Sequence, residues 1–203
     1  AAAYRGDHRL AAQLLAARAD PRSMDQAGQS ALSHAARHGH GLVVDELLRG
    51  HALADEGDDE GTTALILAAR YGHDAVVSRL LRDGADTQCE GHRGFTALSW
   101  AAQNGHSAVV SSLLAARADV AHADEDGSTP LALAALSGHS ALVEQLLARA
   151  DPEVQAVPLA LQLANGRDII FMLQKAQHDT AARRQQREVA AAATAGARGT
   201  TRR

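Results

Sequence analysis

Eleven histidines, one cysteine and 24 Asp and Glu residues are the groups with which this 203-residue chain could do chemistry. In HAARHGH, His34 and His38 stand four apart on one face of a helix, the spacing of two metal ligands. No third ligand follows at a readable spacing. The pair is therefore expected to be a partly buried His34 beside an exposed His38, with no metal. A nucleophilic cysteine needs a base beside it, and none can be placed next to Cys89, the only thiol, so it reads as a small loop residue. Lys175 is the only lysine, no glycine loop leads into it, and G-x-G-x-x-G is absent, which excludes a phosphate cradle. Arg5-Gly6-Asp7 spells an adhesion tripeptide, but a glycine turn between two helices accounts for it. The chain is read as no enzyme, and no cofactor is expected.

Apolar residues make up 46% of the chain, yet only Tyr4, Tyr71, Phe95, Trp100 and Phe171 are aromatic. A core of Ala, Leu and Val suits many small, similar contacts better than one large centre. No apolar run approaches the roughly 20 residues of a membrane-spanning helix, so no membrane insertion is expected. The opening AAAYRGDHRL has neither a secretory signal nor a Met, and reads as a piece of something longer. One cysteine cannot form an internal disulfide, and the expected location is intracellular, in the cytoplasm. The net charge of −4 divides unevenly. Residues 175–203 carry seven Lys/Arg against Asp179 and Glu188, giving +5 and leaving −9 on residues 1–174. So acidic a body lacks the basic face that nucleic-acid binding needs.

What positions these groups is a period. Gly28, Gly61, Gly94 and Gly127 are 33 residues apart, as are Gly6, Gly39, Gly72, Gly105 and Gly138, the last four each followed by His. Between Gly61–Asp86 and Gly94–Asp119, 16 of 26 positions are identical. Within one unit Thr63 is a good helix N-cap, and ALILAARY makes about two turns that Gly72 ends. AVVSRLLRD then sets Val76, Val77, Leu80 and Leu81 on one apolar stripe, and Gly84 stops it. Helices this short are marginal in water, so each needs neighbours on both sides.

With DGSTPLALAALSGHSALVEQLL (Asp126–Leu147) and EGTTALILAARYGHDAVVSRLLRDGAD (Glu60–Asp86), the unit resembles the ankyrin repeat over about residues 1–175. The resemblance implies an all-α solenoid of stacked helix-turn-helix pairs with projecting hairpin loops, or fingers. The divisions are a partial N-terminal repeat at 1–24, full repeats at 25–57, 58–90, 91–123 and 124–155, a degenerate capping repeat at 156–175 that has lost its finger, and a basic helical or disordered tail at 176–203. Arg18, His51 and Arg117 stand where Gly84 stands. If the backbone there is left-handed, each costs roughly 1 kcal/mol.

The resemblance also implies a function, protein binding, through residues at finger tips and on the exposed face of each first helix. The matching positions are Arg37 and His38; Asp59, Glu60, Arg70 and Tyr71; His92, Arg93, Phe95, Gln103 and Asn104; and Glu125, Asp126 and Leu136. Tyr71 and Phe95 are expected to be exposed aromatic anchors, and Trp100 to pack between repeats. Acidic runs at Asp55–Glu60 and Asp124–Asp126 suggest a basic protein or peptide partner with an apolar anchor. The alternative is a regulatory or targeting segment of a larger enzyme, channel or ubiquitin-ligase subunit.

Overall fold

The computed structural model describes residues 1–149 and 156–199, and twelve α-helices with no strand follow one another there. In chain order α1 (Ala2–Arg5) and α2 (His8–Ala16) form a partial first unit. Four complete pairs follow: α3 (Ala31–Arg37) with α4 (Gly41–Arg49), α5 (Ala64–Arg70) with α6 (Asp74–Arg82), α7 (Ala97–Gln103) with α8 (Ser107–Ala115), and α9 (Pro130–Leu136) with α10 (Ser140–Leu147). A last pair, α11 (Ala156–Leu163) and α12 (Arg167–Gly199), closes the row.

The first helix of each complete pair starts on a hydroxyl. Ser30, Thr63, Thr96 and Thr129 hold extended backbone, and each accepts the N–H three residues on. Ser33 and Ser99 reinforce two of these caps, their hydroxyls 3.2 Å from Ser30 Oγ and 3.1 Å from Thr96 Oγ1. After seven residues the helix ends in a left-handed glycine, Gly39, Gly72, Gly105 or Gly138, with φ between 73 and 79°.

The first helices stack α1 on α3, α3 on α5, α5 on α7, α7 on α9 and α9 on α11, while α2, α4, α6 and α8 form a second row behind them. The alanine pairs 35–36, 68–69, 101–102 and 134–135 are wholly buried in the inner row, whereas Val43, Val76, Val109 and the leucines Leu80, Leu113 and Leu146 fill the outer row. Each such leucine taken out of water contributes about 1.5–3 kcal/mol. Small residues let inner helices approach closely while larger ones hold outer helices apart.

Histidine stitches each pair to the one before. His40, His73, His106 and His139 place Nε2 3.0–3.2 Å from the carbonyl oxygens of Tyr4, Arg37, Arg70 and Gln103. A carbonyl oxygen only accepts, so each Nε2 carries the hydrogen and donates. The bonds satisfy carbonyls that a helix C-terminus leaves without a partner. Each ring also lies on the glycine turn of the preceding unit, where a β-carbon on Gly6, Gly39, Gly72 or Gly105 would come within 2.6–2.7 Å of it.

Arg18, His51 and Arg117 are left-handed, with φ of 65, 66 and 63°, in the turns where Gly84 has φ 92°. The non-glycine turns are thus strained as expected. At the C-terminal end Ile169 and Leu173 are buried and the Asn165 N–H donates to the Ala135 carbonyl at 2.9 Å. The expected boundary at 175 is crossed by α12, which runs unbroken to Gly199 because an Ala- and Arg-rich sequence favours helix. The end of the fourth repeat (150–155) and the final residues 200–203 lie outside the described residues.

Candidate functional site

The fourteen residues implicated by sequence fall into two places. Arg37, His38, Arg70, Tyr71, Gln103, Asn104 and Leu136 sit at the C-terminal ends of the inner helices, and the rest on the fingers. The inner-helix group is a row with one register per repeat. Tyr4, Arg37, Arg70, Gln103 and Leu136 follow one another at 33 residues, and it is the carbonyls of the first four that the histidines hold. Tyr4 was missed by the sequence reading, although extending the period by one unit finds it.

Aromatic rings and guanidinium groups alternate along the first part of this row. Tyr4 meets His38 edge-on at 4.7 Å between ring centres. Arg37 Cζ lies 5.4 Å and Arg70 Cζ 5.8 Å from the centre of the Tyr71 ring. Arg70 Cζ is also 4.1 Å from the centre of the Trp100 ring, so Trp100 packs between repeats as expected, through a cation–π contact. Tyr71, Arg37, His38 and Arg70 are exposed. Among the described residues neither Arg37 nor Arg70 forms an ion pair with a carboxylate. Partial desolvation, and then the neighbouring His40 and the Arg37 guanidinium, hold the His38 pKa below its ordinary value.

Toward the C-terminal end the row loses charge. The Asn104 Nδ2–H donates to the Trp100 carbonyl at 2.9 Å, the Gln103 Oε1 is buried without a partner, and Leu136 is 47% exposed.

Phe95 corrects the expectation of an exposed anchor. It is buried at 8% exposure, with its ring 4.7 Å from that of Trp100. Phe95 precedes the N-cap Thr96, and Trp100 is the fourth helical residue, so the two form a hydrophobic staple that fixes the entry of the chain into α7.

The finger carboxylates are also less free than the acidic runs suggest. Asp25, Asp58 and Asp124 each use Oδ1 to accept two backbone N–H groups, two and four residues on, at 2.8–3.1 Å, and Asp124 is buried. They shape the turn. Asp55 accepts the Asp86 N–H at 2.8 Å. Neighbouring fingers interlock through the remainder: Glu60 pairs with His92 at 3.4 Å, Arg93 pairs with Asp126, and the Glu125 N–H donates to the Arg93 carbonyl at 3.1 Å. Asp59 lies against Gly28 of the finger before it, where a β-carbon would be 3.1 Å from its Oδ1.

Arg93 is itself left-handed, with φ 58°, unlike its counterparts Ala27, Glu60 and Asp126. Those three N–H groups are held by the turn aspartates, and the third finger has Gly91 instead.

His34 is held by Asp25, Nε2 to Oδ2 at 2.7 Å; no cluster of three or more His, Cys, Asp or Glu side chains suited to an ion occurs among the described residues. Cys89 is half-buried, and burial followed by the nearby Asp55 and Asp86 pushes its thiol pKa up, away from nucleophilic character. No helix among the described residues is long and apolar enough to cross a membrane.

Among known families, residues 1–90 and 77–156 match ankyrin repeats, described in three copies. No curated protein matches the chain at significant similarity. The two matched segments cover most of the chain and coincide with the stacked pairs, capped inner helices and glycine–histidine turns. The chain belongs to the ankyrin-repeat family.

Proposed function

We propose that this protein is a non-catalytic interaction module that presents its concave inner face to a protein or peptide. One observation carries the reading: a single row, Arg37, Arg70, Gln103 and Leu136, one residue per repeat, is exposed at every position but the half-buried Gln103, and histidine bonds fix the backbone carbonyls of its first three members. Ankyrin repeats generally bind proteins, and repeat stacks offer such rows as extended recognition surfaces. Pre-organisation favours binding because little conformational freedom remains to be lost.

The test compares faces. The immobilised chain would be cross-linked to whatever it captures, alongside a variant with Tyr71→Ala and Leu136→Ala on the inner face and one with Arg49→Ala and Arg82→Ala on the outer face. Loss of capture by the inner-face variant alone, with helicity intact in both, is the expected result. Capture that only the outer-face variant loses would overturn the reading.

A further inference from the structure

We infer that the inner row reads an acidic peptide in the polyproline II conformation, with carboxylates at positions i and i+3 seated on Arg37 and Arg70 and an apolar side chain at i+9 seated on Leu136. The inference rests on the concave-face reading above and gives it a ligand class.

The charge argument is local. Arg37 and Arg70 are exposed and have no carboxylate partner among the described residues, whereas Arg79 is paired with Asp45, Arg93 with Asp126 and Arg49 with Glu46. Aromatic faces, not anions, hold these two guanidinium groups: Tyr71 lies beside both, and Trp100 beside Arg70. A ring orients a guanidinium without neutralising it, and the planar N–H fork of an exposed arginine is geometrically matched to a carboxylate. His38, next to Arg37, lies in the same positive field. The chain as a whole is −4, but beyond about 8 Å at physiological ionic strength that charge is largely screened. Two of the finger carboxylates that would repel such a ligand are turned to their neighbours, Glu60 to His92 and Asp126 to Arg93.

The spacing argument is geometric. Packed helices lie about 8–10 Å apart, and a chain in the polyproline II conformation advances about 3.1 Å per residue with about three residues per turn, so one repeat corresponds to about three peptide residues and every third side chain faces the row. The column Arg37, Arg70, Gln103, Leu136 then reads as acid, acid, polar, apolar at i, i+3, i+6 and i+9. Single-stranded nucleic acid is the weaker match. It needs open aromatic faces for its bases, and here Trp100 is taken up by Arg70 and Phe95 and Tyr71 by two arginines.

The test uses the full chain and fluorescein-labelled peptides of about twelve residues, long enough to span four repeats at that rise. One peptide carries Glu at i and i+3 and Leu at i+9 on a Ser/Ala background, made in both chain directions. Controls replace Glu by Lys, or move the second Glu to i+1. By anisotropy the spaced acidic peptide is expected to bind at least about tenfold tighter than either control, and to weaken as salt rises. Arg37→Ala and Arg70→Gln should each cost about tenfold, Arg70→Lys less, and Arg82→Ala nothing.

If the Lys peptide binds equally or better and Tyr71→Ala abolishes it, the acidic inference falls and the concave-face reading stands. If a short oligo-uridine binds tighter than the acidic peptide, the inference falls. If no peptide binds and the inner-face variant captures partners as well as the native chain, both readings fall.

Discussion

The His106 imidazole lies over Gly72 so closely that a β-carbon at residue 72 would sit 2.7 Å from its Nδ1, while its Nε2–H bonds the Arg70 carbonyl at 3.1 Å. Glycine is needed there twice, for a φ of 76° and for room beneath the ring. The two residues should therefore be coupled. We expect Gly72→Ala to cost about 2 kcal/mol, from left-handed strain plus the clash, and His106→Ala about 1 kcal/mol, from one lost hydrogen bond. Together they should cost less than the sum by at least about 0.5 kcal/mol, because removing the ring removes the clash. Urea unfolding of the three variants measures this, and strict additivity would mean that the ring does not set the glycine requirement.

The stack also predicts where truncation hurts. Leu80 is fully buried between repeats, and Leu14 is 45% exposed at the N-terminal end. Leu80→Ala is expected to cost about 2–5 kcal/mol and Leu14→Ala under about 1 kcal/mol. Thermal unfolding should separate them clearly; equal shifts would contradict the burial pattern.

Strain in the outer turns is reversible by substitution. Arg117 has φ 63°, so Arg117→Gly should stabilise by about 1 kcal/mol. Gly84→Arg should cost about the same and no more, since a β-carbon there meets nothing within 4 Å. A loss of stability in Arg117→Gly would show that the arginine side chain contributes more than its backbone costs.

The hydrogen bond from His34, with the Gln29 and Ala27 N–H groups, holds the Asp25 carboxyl below its ordinary pKa. The sign follows from linkage. Folding favours the ionised form, so this contribution is complete above the unfolded value of about 4 and is lost as pH falls through the lower folded value. The stability gap between the native chain and Asp25→Ala should be flat from pH 5 to 7 and close below about pH 4. Denaturation midpoints across that range check it, and a gap that widens in acid would reverse the assignment.

Much of this architecture could be read in advance because its causes are local and repeated. A hydroxyl before AL or PL, a glycine nine residues on and a histidine after it state the cap, the stop and the stitch in one line of sequence. Comparison with Gly84 likewise exposed the strain at Arg18, His51 and Arg117. The misreadings have causes of longer reach or subtler kind. Glu60 and His92, or Arg93 and Asp126, meet only because stacking brings residues 32 or 33 apart side by side. Arg93 is left-handed because Gly91 lacks the carboxylate that its counterparts supply, a defect visible only once the turn bonds are known. Phe95 is locally legible: a hydrophobic residue before the cap, followed five residues on by Trp100, is the pattern of a staple rather than of an anchor.

The histidine bonds have a consequence for how such a surface can grow. Each one ties a row position of one repeat to the glycine turn of the next, and nothing in the joint depends on which side chain the row presents. A duplication of one 33-residue unit would add a joint and a reading position together, in register, without asking the existing positions to move. Lengthening the row and changing what it spells are separate events in the history of the chain, the first a matter of copying and the second of single substitutions such as the steps from Arg70 to Gln103 and from Gln103 to Leu136.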